Sequence, residues 1–119
     1  MFGTIYRQVE TFEEVLDSVC VGQTRVNDVK VILFVVLRQG VELSETLADQ
    51  FKLRIKIDAS PRDAPAKVIA VEDIPRTMSG KTAELAVSDQ IHGRTAKNTA
   101  ALANPEALLL FENIRELQR

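Results

Sequence analysis

The apolar run VKVILFVVL at residues 29–37 constrains the fold of this 119-residue chain most strongly. It is rich in β-branched residues, it is interrupted by Lys30, and it is far shorter than the roughly 20 apolar residues that span a membrane as a helix. We therefore expect a buried strand here. The preceding segment LDSVCVGQ, residues 16–23, also favours a strand, and the intervening turn TRVND predicts that the two form an antiparallel hairpin.

Apolar residues recur at helical spacing on both sides of this hairpin. The segment 4–16 carries them at three- and four-residue steps, which predicts a short amphipathic helix with an uncertain end. Its apolar positions are Ile5, Val9, Phe12 and Leu16. After the hairpin, apolar residues at every fourth position form one stripe on a second helix that packs on the sheet. These are Leu43, Leu47, Phe51 and Ile55.

Turn signals divide the rest of the chain. Two prolines make DASPRDAPAK, residues 58–67, a loop before a third strand, KVIAV. A helix is expected over 81–92, closed by Gly93, and a last helix over 105–117, where Asn104 would be the N-cap before Pro105. The predicted fold class is α+β: a small three-stranded sheet with an antiparallel hairpin and helices packed on it. One domain spans 1–119, and residues 98–119 form its C-terminal helical extension.

Composition excludes several classes of function. Fifteen Lys and Arg residues against 17 Asp and Glu residues give a net charge of −2, so we expect no nucleic-acid partner and no membrane partner. A single cysteine, Cys20, forms no internal disulfide, and the start of the chain lacks the zones of a secretory signal. Both features predict a cytoplasmic protein. His92 has no ligand-spaced partner and reads as a helix-end histidine, so no metal site is expected.

Residues 79–82, SGKT, share the end of the phosphate-binding pattern G-x-x-x-x-G-K-[ST]. That pattern requires a first glycine at position 75, which is Pro75 here. Proline has no backbone N–H to contribute to a phosphate cradle, so nucleoside triphosphate hydrolysis by such a loop is not expected.

The longer segment IPRTMSGK, residues 74–81, resembles the last core motif of the AMP-forming acyl-CoA synthetases, P-[RKY]-T-x-S-G-K. Other segments fall in the order and spacing of the small C-terminal domain of that family, so the resemblance covers essentially the whole chain. They are GTIYRQVE, EVLDSVCVGQ, VILFVVL, SPRDAP and ALANPEALLLF. SPRDAP and NPEAL look most like the acetoacetyl-CoA branch and its acetyl- and propionyl-CoA relatives.

The resemblance implies that Lys81 is catalytic and stands between a carboxylate and the α-phosphate of ATP during adenylation. Spacing alone also allows Lys81 to be only a lysine at a turn. Gly80 would let the backbone turn sharply beside the ligand, and Ser79 would hold the turn with its hydroxyl. Both are therefore expected to bind the substrates together with Lys81.

Two further residues are candidates for binding CoA. Gly3 matches the glycine of the family signature R-[ILF]-G-T-A-E, near which pantetheine passes, but Met1 replaces the arginine and the A-E after Thr4 is absent. Lys56 matches a position where relatives carry a basic residue for a CoA phosphate. A solvated cation at a helix C-terminus is an equally good reading of Lys56.

The same resemblance sets the expected cofactors and partners. ATP and CoA would be substrates of the complete enzyme, Mg²⁺ would be held by the large N-terminal adenylation domain, and no cofactor is expected on this chain alone. That large domain would act in cis or in trans, and without it the chain would be inactive. Three origins stay open: an excised domain, a separate polypeptide, or a relic kept for another purpose.

Two other hypotheses also stay open. The chain could be a non-catalytic interaction module that forms a homodimer through an uncovered apolar face of the hairpin. Alternatively, Lys81 could be a target of regulatory acylation, which would neutralise the charge that the chemistry needs.

Overall fold

A computed structural model describes residues 3–25, 28–58, 65–80, 83–93 and 99–111 of the chain. In chain order, its regular elements are helix α1 (Gly3–Val9), strands β1 (Val15–Arg25) and β2 (Asp28–Leu37), helix α2 (Glu45–Asp58), strand β3 (Lys67–Ala70) and helix α3 (Glu84–Ile91). Two 3₁₀ segments, Thr99–Ala101 and Pro105–Phe111, follow. This mixture confirms the predicted α+β class.

The three strands form one sheet in the order β1-β2-β3. β1 and β2 pair antiparallel, which confirms the hairpin, and β3 adds to β2 in parallel. Because β2 is the central strand, its apolar side chains are covered on both sides, and this explains why VKVILFVVL reads as a nearly continuous apolar run.

The first helix is shorter than predicted. It ends at Val9, and Leu16 belongs to β1, where it is 57% exposed. The register of the hairpin shifts between Val15 and Asp17, so Leu16 is an extra residue in a β-bulge. The helical spacing of Phe12 was misleading, since Phe12 packs from the connecting turn onto Phe51, with ring centroids 4.6 Å apart.

Alternation along the hairpin divides the core between the two faces of the sheet. The first face is covered by α1 and α2, and its buried residues are Ile5, Val9, Cys20, Leu33, Val35, Leu47, Phe51 and Ile55. The second face is covered by α3, the segment before it and the last 3₁₀ segment. Its buried residues are Val19, Val21, Ile32, Phe34, Ile74, Val87 and Phe111.

Three residues of the predicted stripe, Leu47, Phe51 and Ile55, are buried on α2, but Leu43 precedes the helix, which begins at Glu45. The start of α2 is capped by a side chain. Ser44 Oγ accepts a hydrogen bond of 3.1 Å from the backbone N–H of Leu47. This bond satisfies one of the unpaired N–H groups of the first turn.

The C-terminal third differs from expectation in detail. α3 begins at Glu84 rather than at 81, and Gly93 follows its end with a φ of +73°, as a helix-closing glycine should. The segment after Asn104 is a 3₁₀ helix up to Phe111, not an α-helix. Residues 112–117 of the predicted last helix, like 59–64 of the predicted loop, lie outside the described residues.

None of the helices in the described part of the chain is long and apolar enough to cross a membrane.

Candidate functional site

The motif segment forms a tight turn between β3 and α3. The Gly80 N–H donates to the Thr77 carbonyl at 2.9 Å, and the hydroxyls of Thr77 and Ser79 lie 2.9 Å apart in a hydrogen bond. Gly80 has a φ of +85°, which an L side chain rarely adopts. The sharp turn expected at Gly80 and the hydroxyl contact expected of Ser79 are both present.

The turn belongs to a loop that is closed at its base. The Ala83 N–H donates to the Pro75 carbonyl at 3.0 Å, so the chain leaves the second face of the sheet at Ile74 and returns to it at α3. Lys81, the predicted catalytic residue, lies outside the described residues. The residues on either side of it are therefore what the structure contributes to the site.

Arg76 connects this loop to the sheet. Its Nε donates to Asp17 Oδ2 at 3.0 Å, one terminal nitrogen donates to Asp17 Oδ1, and the other donates to the Gly80 carbonyl at 2.7 Å. The guanidinium thus spans 59 residues of sequence to β1 and four residues to the turn. In the sequence Arg76 is only one position of the motif, and no local pattern pairs it with Asp17.

Asp17 faces Arg76 because of the β-bulge. The extra residue Leu16 changes the register of β1 immediately before Asp17, and a bulge of this kind re-aims the side chains around it. Asp17 Oδ1 also accepts the backbone N–H of Ser18 at 2.9 Å, which restrains the carboxylate.

Asn104 holds the other side of the loop. Its Oδ1 accepts the Arg76 N–H at 2.8 Å, and its Nδ2 donates to Asp73 Oδ2 at 3.0 Å and to the Ile74 carbonyl at 2.9 Å. Asn104 also stands in the predicted N-cap position, since it directly precedes the 3₁₀ helix and its carbonyl accepts the Ala107 N–H at 3.0 Å, while its side-chain amide binds the segment 73–76. No repeat or spacing in the sequence indicates this contact across about thirty residues.

Backbone pairing extends the same contact. The Met78 N–H donates to the Ala101 carbonyl at 2.9 Å, and the Ala103 N–H donates to the Arg76 carbonyl at 2.8 Å. Thr77 and Leu102 form an antiparallel bridge. The motif segment and the segment 101–104 thus behave as a short two-stranded ribbon, which we call the loop ribbon.

Tyr6 joins α1 to the start of α3. Its hydroxyl donates to Glu84 Oε1 at 2.5 Å and accepts the Cys20 N–H at 2.9 Å. Burial raises the pKa of the Tyr6 hydroxyl above its ordinary value, and the hydrogen bond to the Glu84 carboxylate raises it further. Tyr6 is therefore a neutral donor that fixes the helix following the loop.

A polar cleft of about 450 Å³ opens beside the Arg76–Asp17 pair. It lies between α1, the start of β1 and the loop. Its lining residues are Tyr6, Glu10, Val15, Leu16, Asp17, Ser18 and Arg76.

The predicted site residues fall into two groups. Ser79 and Gly80 lie together in the turn, on the loop that returns to the second face. Gly3 is the first residue of α1 and Lys56 lies exposed in the last turn of α2, and both helices cover the first face. The residues predicted for adenylation and those predicted for CoA therefore lie on different elements of the chain.

Within the described ranges, no three or more His, Cys, Asp or Glu side chains are grouped to hold a metal ion. His92 ends α3, with its Nδ1 2.6 Å from the Ser88 carbonyl, which confirms the helix-end assignment. Cys20 is buried in β1, as expected of a small apolar residue.

Comparison with solved structures first defines the class of protein to which the fold corresponds. The chain superposes on an acyl-CoA synthetase from Brucella canis with a TM-score of 0.61 and 26% identity, over 66% of this chain and 15% of that one. Its match to the acetoacetyl-CoA synthetase from Streptomyces lividans is far more complete, with a TM-score of 0.86 and 30% identity over 99% of this chain. The fold is that of the C-terminal region of the adenylate-forming superfamily.

Sequence comparison narrows the class. The chain is 58% identical over 114 residues, or 96% of its length, to acetoacetyl-coenzyme A synthetase of Rhizobium meliloti (strain 1021). No family model matches it. The chain is thus homologous to the acetoacetyl-CoA synthetases, and it spans 18% of the length of the curated relative and of the Streptomyces structure.

Proposed function

We propose that this chain acts as the small C-terminal domain of an AMP-forming acetoacetyl-CoA synthetase and supplies Lys81 to the adenylation reaction. One observation carries the proposal: the turn that precedes Lys81 is held by side-chain hydrogen bonds, in a chain 58% identical to an acetoacetyl-CoA synthetase. A surface lysine without a function would not require a guanidinium, an amide and a backbone bridge to hold the segment that precedes it.

The chemistry gives a cation in this position a definite role. When a carboxylate attacks the α-phosphate of ATP and expels pyrophosphate, two anions approach one another and charge accumulates between them. An ammonium placed there donates to both and stabilises the transition state, and losing one preorganised donor of this kind typically lowers the rate roughly 10²- to 10³-fold. The turn is solvent-exposed, since Met78, which is 71% exposed, Ser79 and Gly80 all lie at the surface.

The candidate residues lie on different elements of the chain, as a reaction in two steps would allow. Ser79, Gly80 and Lys81 would serve acyl adenylate formation, and Gly3 and Lys56, on elements of the first face, would serve thioester formation with CoA after the domain turns. Lys56 is solvent-exposed at the C-terminal end of α2, where a CoA phosphate could reach it.

The remaining parts of the reaction belong to a partner. ATP and CoA are the substrates, the acid is acetoacetate by analogy with the relatives, and a large adenylation domain binds them and the Mg²⁺ that accompanies ATP. Positioning of the reactants by that domain can be worth roughly 7 to 11 kcal/mol, so this chain alone should be inactive. The proposed location is the cytoplasm, where ATP and CoA are available.

A chimera tests this function. The full 119-residue chain replaces the matching region of the Rhizobium meliloti synthetase, and acetoacetate-dependent exchange of pyrophosphate into ATP reports adenylation. We expect the chimera to be active and Lys81→Ala to lower exchange roughly 10²- to 10³-fold. Exchange that is absent with the unaltered chain, or unchanged in Lys81→Ala, would contradict the proposal.

The alternative, a homodimerising module without catalysis, has less support. It was based on an uncovered apolar face of the hairpin, but most apolar side chains on both faces of β1 and β2 are buried under other elements of the chain, and only Leu16 and Val29 are exposed among the large apolar residues described there. The exposed apolar side chains nearest the motif are Met78 and Leu85, which flank Lys81 and suit contact with an adenylation domain better. Light scattering across a concentration series would detect a dimer if one forms.

A further inference from the structure

We infer that Arg76, held by Asp17, is a positioning residue that orients the Ser79–Gly80 turn for adenylation. The inference rests on the function proposed above and deepens it, because it concerns how the turn before Lys81 is aimed. It assigns a role to two residues that lie 59 positions apart in sequence and meet only in the folded domain.

The geometry of the contact is that of a clamp. Two nitrogens of the guanidinium bind both oxygens of Asp17, which fixes the plane of the guanidinium. The third nitrogen lies in the same plane and donates to the Gly80 carbonyl at 2.7 Å. The direction of that carbonyl is therefore determined by Asp17, through Arg76.

A clamp is needed at this position because glycine does not hold its own conformation. Gly80 has open space where a Cβ would lie and a φ of +85°, so no side chain of its own restricts its backbone dihedral angles. Inside the turn, one backbone hydrogen bond and one hydroxyl pair provide the other restraints on it. The bond from Arg76 adds a restraint on the side that leads into Lys81.

The frame that carries the clamp is itself fixed. The Arg76 backbone is bonded through its N–H to Asn104 and through its carbonyl to Ala103. Asp17 is presented by the β-bulge and restrained by the N–H of Ser18. The guanidinium is thus supported at both ends by backbone that belongs to the sheet or to the loop ribbon.

Exposure indicates that the pair serves geometry more than stability. The Arg76 side chain is 38% exposed and that of Asp17 is 23% exposed, so solvent screens their attraction. Pairs of this kind typically contribute little to the stability of a fold. Misplacing a catalytic group by about 1 Å, in contrast, can lower a rate about 10²-fold.

Arginine is required for this arrangement. Lysine would keep the positive charge, but its single ammonium cannot bind both Asp17 oxygens and the Gly80 carbonyl in one plane. A purely electrostatic role would be preserved in Arg76→Lys, whereas an orienting role would be lost.

The experiment uses the chimera described above and follows the two half-reactions separately. Adenylation is measured by pyrophosphate exchange, and thioester formation is measured from a chemically prepared acyl adenylate and CoA. We expect Arg76→Ala and Arg76→Lys to lower exchange about 10²-fold, and Asp17→Asn to lower it less, while thioester formation and melting temperature change little. Arg76→Ala should add no further loss to Lys81→Ala, because both act through the same group.

A matched control removes a different guanidinium. Arg38 donates its Nε–H to the Glu13 carbonyl, before β1 and outside the loop, so Arg38→Ala should leave exchange unchanged. The inference is overturned if Arg76→Ala exchanges pyrophosphate normally, or if both half-reactions fall in parallel with the melting temperature. If Arg76→Ala does not fold, the milder Asp17→Asn carries the same test.

Failure of this inference is distinguishable from failure of the proposed function. If Lys81→Ala abolishes exchange and Arg76→Ala does not alter it, only the positioning role is wrong. If Lys81→Ala leaves exchange intact, the proposed function is wrong and the positioning role falls with it.

Discussion

The two faces of the sheet are held in different ways. On the first face, α1 and α2 bury a continuous set of aliphatic and aromatic side chains, with Phe12 and Phe51 in an edge-on contact. The second face has a similar contact between Phe34 and Phe111, with centroids 4.8 Å apart, but much of its cover is loop and 3₁₀ segment. The loop there is held by side-chain hydrogen bonds to Asp17 and Asn104.

This difference separates stability from function. Apolar burial stabilises without specifying direction, whereas hydrogen bonds fix the orientation of individual groups at a smaller net gain. We therefore expect substitutions on the first face to affect the fold as a whole, and substitutions around the loop to affect the site first.

The largest expected effect is on the first face. Phe51→Ala removes a fully buried ring from α2 and should lower the free energy of unfolding by about 3–5 kcal/mol. Denaturant titration of the chain measures it, and Phe51→Leu, which keeps most of the volume, should cost less than about 1.5 kcal/mol. A loss below about 1 kcal/mol for Phe51→Ala would break the comparison, since the first face would then not be the main source of stability.

A smaller and more local effect is expected at Asn104. Asn104→Ala leaves the Arg76 N–H and the Ile74 carbonyl without their partner, which should cost about 1–3 kcal/mol. Hydrogen exchange should quicken at Arg76, Met78 and Ala103, and much less in β1 and β2.

Ser44→Ala is the control for Asn104→Ala, since it removes one capping bond from α2 on the first face at a cost of about 1 kcal/mol. In Ser44→Ala, hydrogen exchange should quicken in α2 and not in the loop ribbon. Uniform quickening across the whole sheet in Asn104→Ala would contradict a local role for the loop ribbon.

The smallest effect is on the slope of stability against pH in the alkaline range, and it concerns the link between the two faces. The raised pKa of Tyr6 means that the folded chain keeps this proton when the unfolded chain loses it. Its contribution to stability is complete below the ordinary pKa of 10.0 and decreases as the pH rises above that value. Tyr6→Phe should be less stable than the unaltered chain at neutral pH, but its free energy of unfolding should decrease less between pH 9 and pH 11. Parallel curves of stability against pH for the two proteins would show that Tyr6 does not couple α1 to α3.

The parts of the structure that could be predicted from sequence are those held by apolar burial rather than by hydrogen bonds around the loop. The hairpin and α2 have regular apolar spacing, so their positions were predictable, as was the helix-closing role of Gly93. The end of α1 was missed because Leu16 continues a helical spacing while lying in a bulge. Periodicity reports which side chains are buried, and it does not distinguish a helix from a turn followed by a strand.

The site was predictable only in part. Ser79 and Gly80 follow from the motif, and the turn that they form is the expected one. Arg76, Asp17 and Asn104 were missed as a group, because their contacts join residues 28 to 59 positions apart and depend on a bulge and an antiparallel bridge. Such contacts leave no periodic signal in one sequence.

The pairing of Met78 with Ala101 has a practical consequence for anyone who shortens or recombines domains of this kind. A domain boundary placed directly after α3 would retain the whole motif segment. It would still remove the other strand of the loop ribbon and the Asn104 amide, which hold the backbone of the motif segment. The functional unit therefore ends well downstream of the motif, and domain swaps should be cut beyond Phe111.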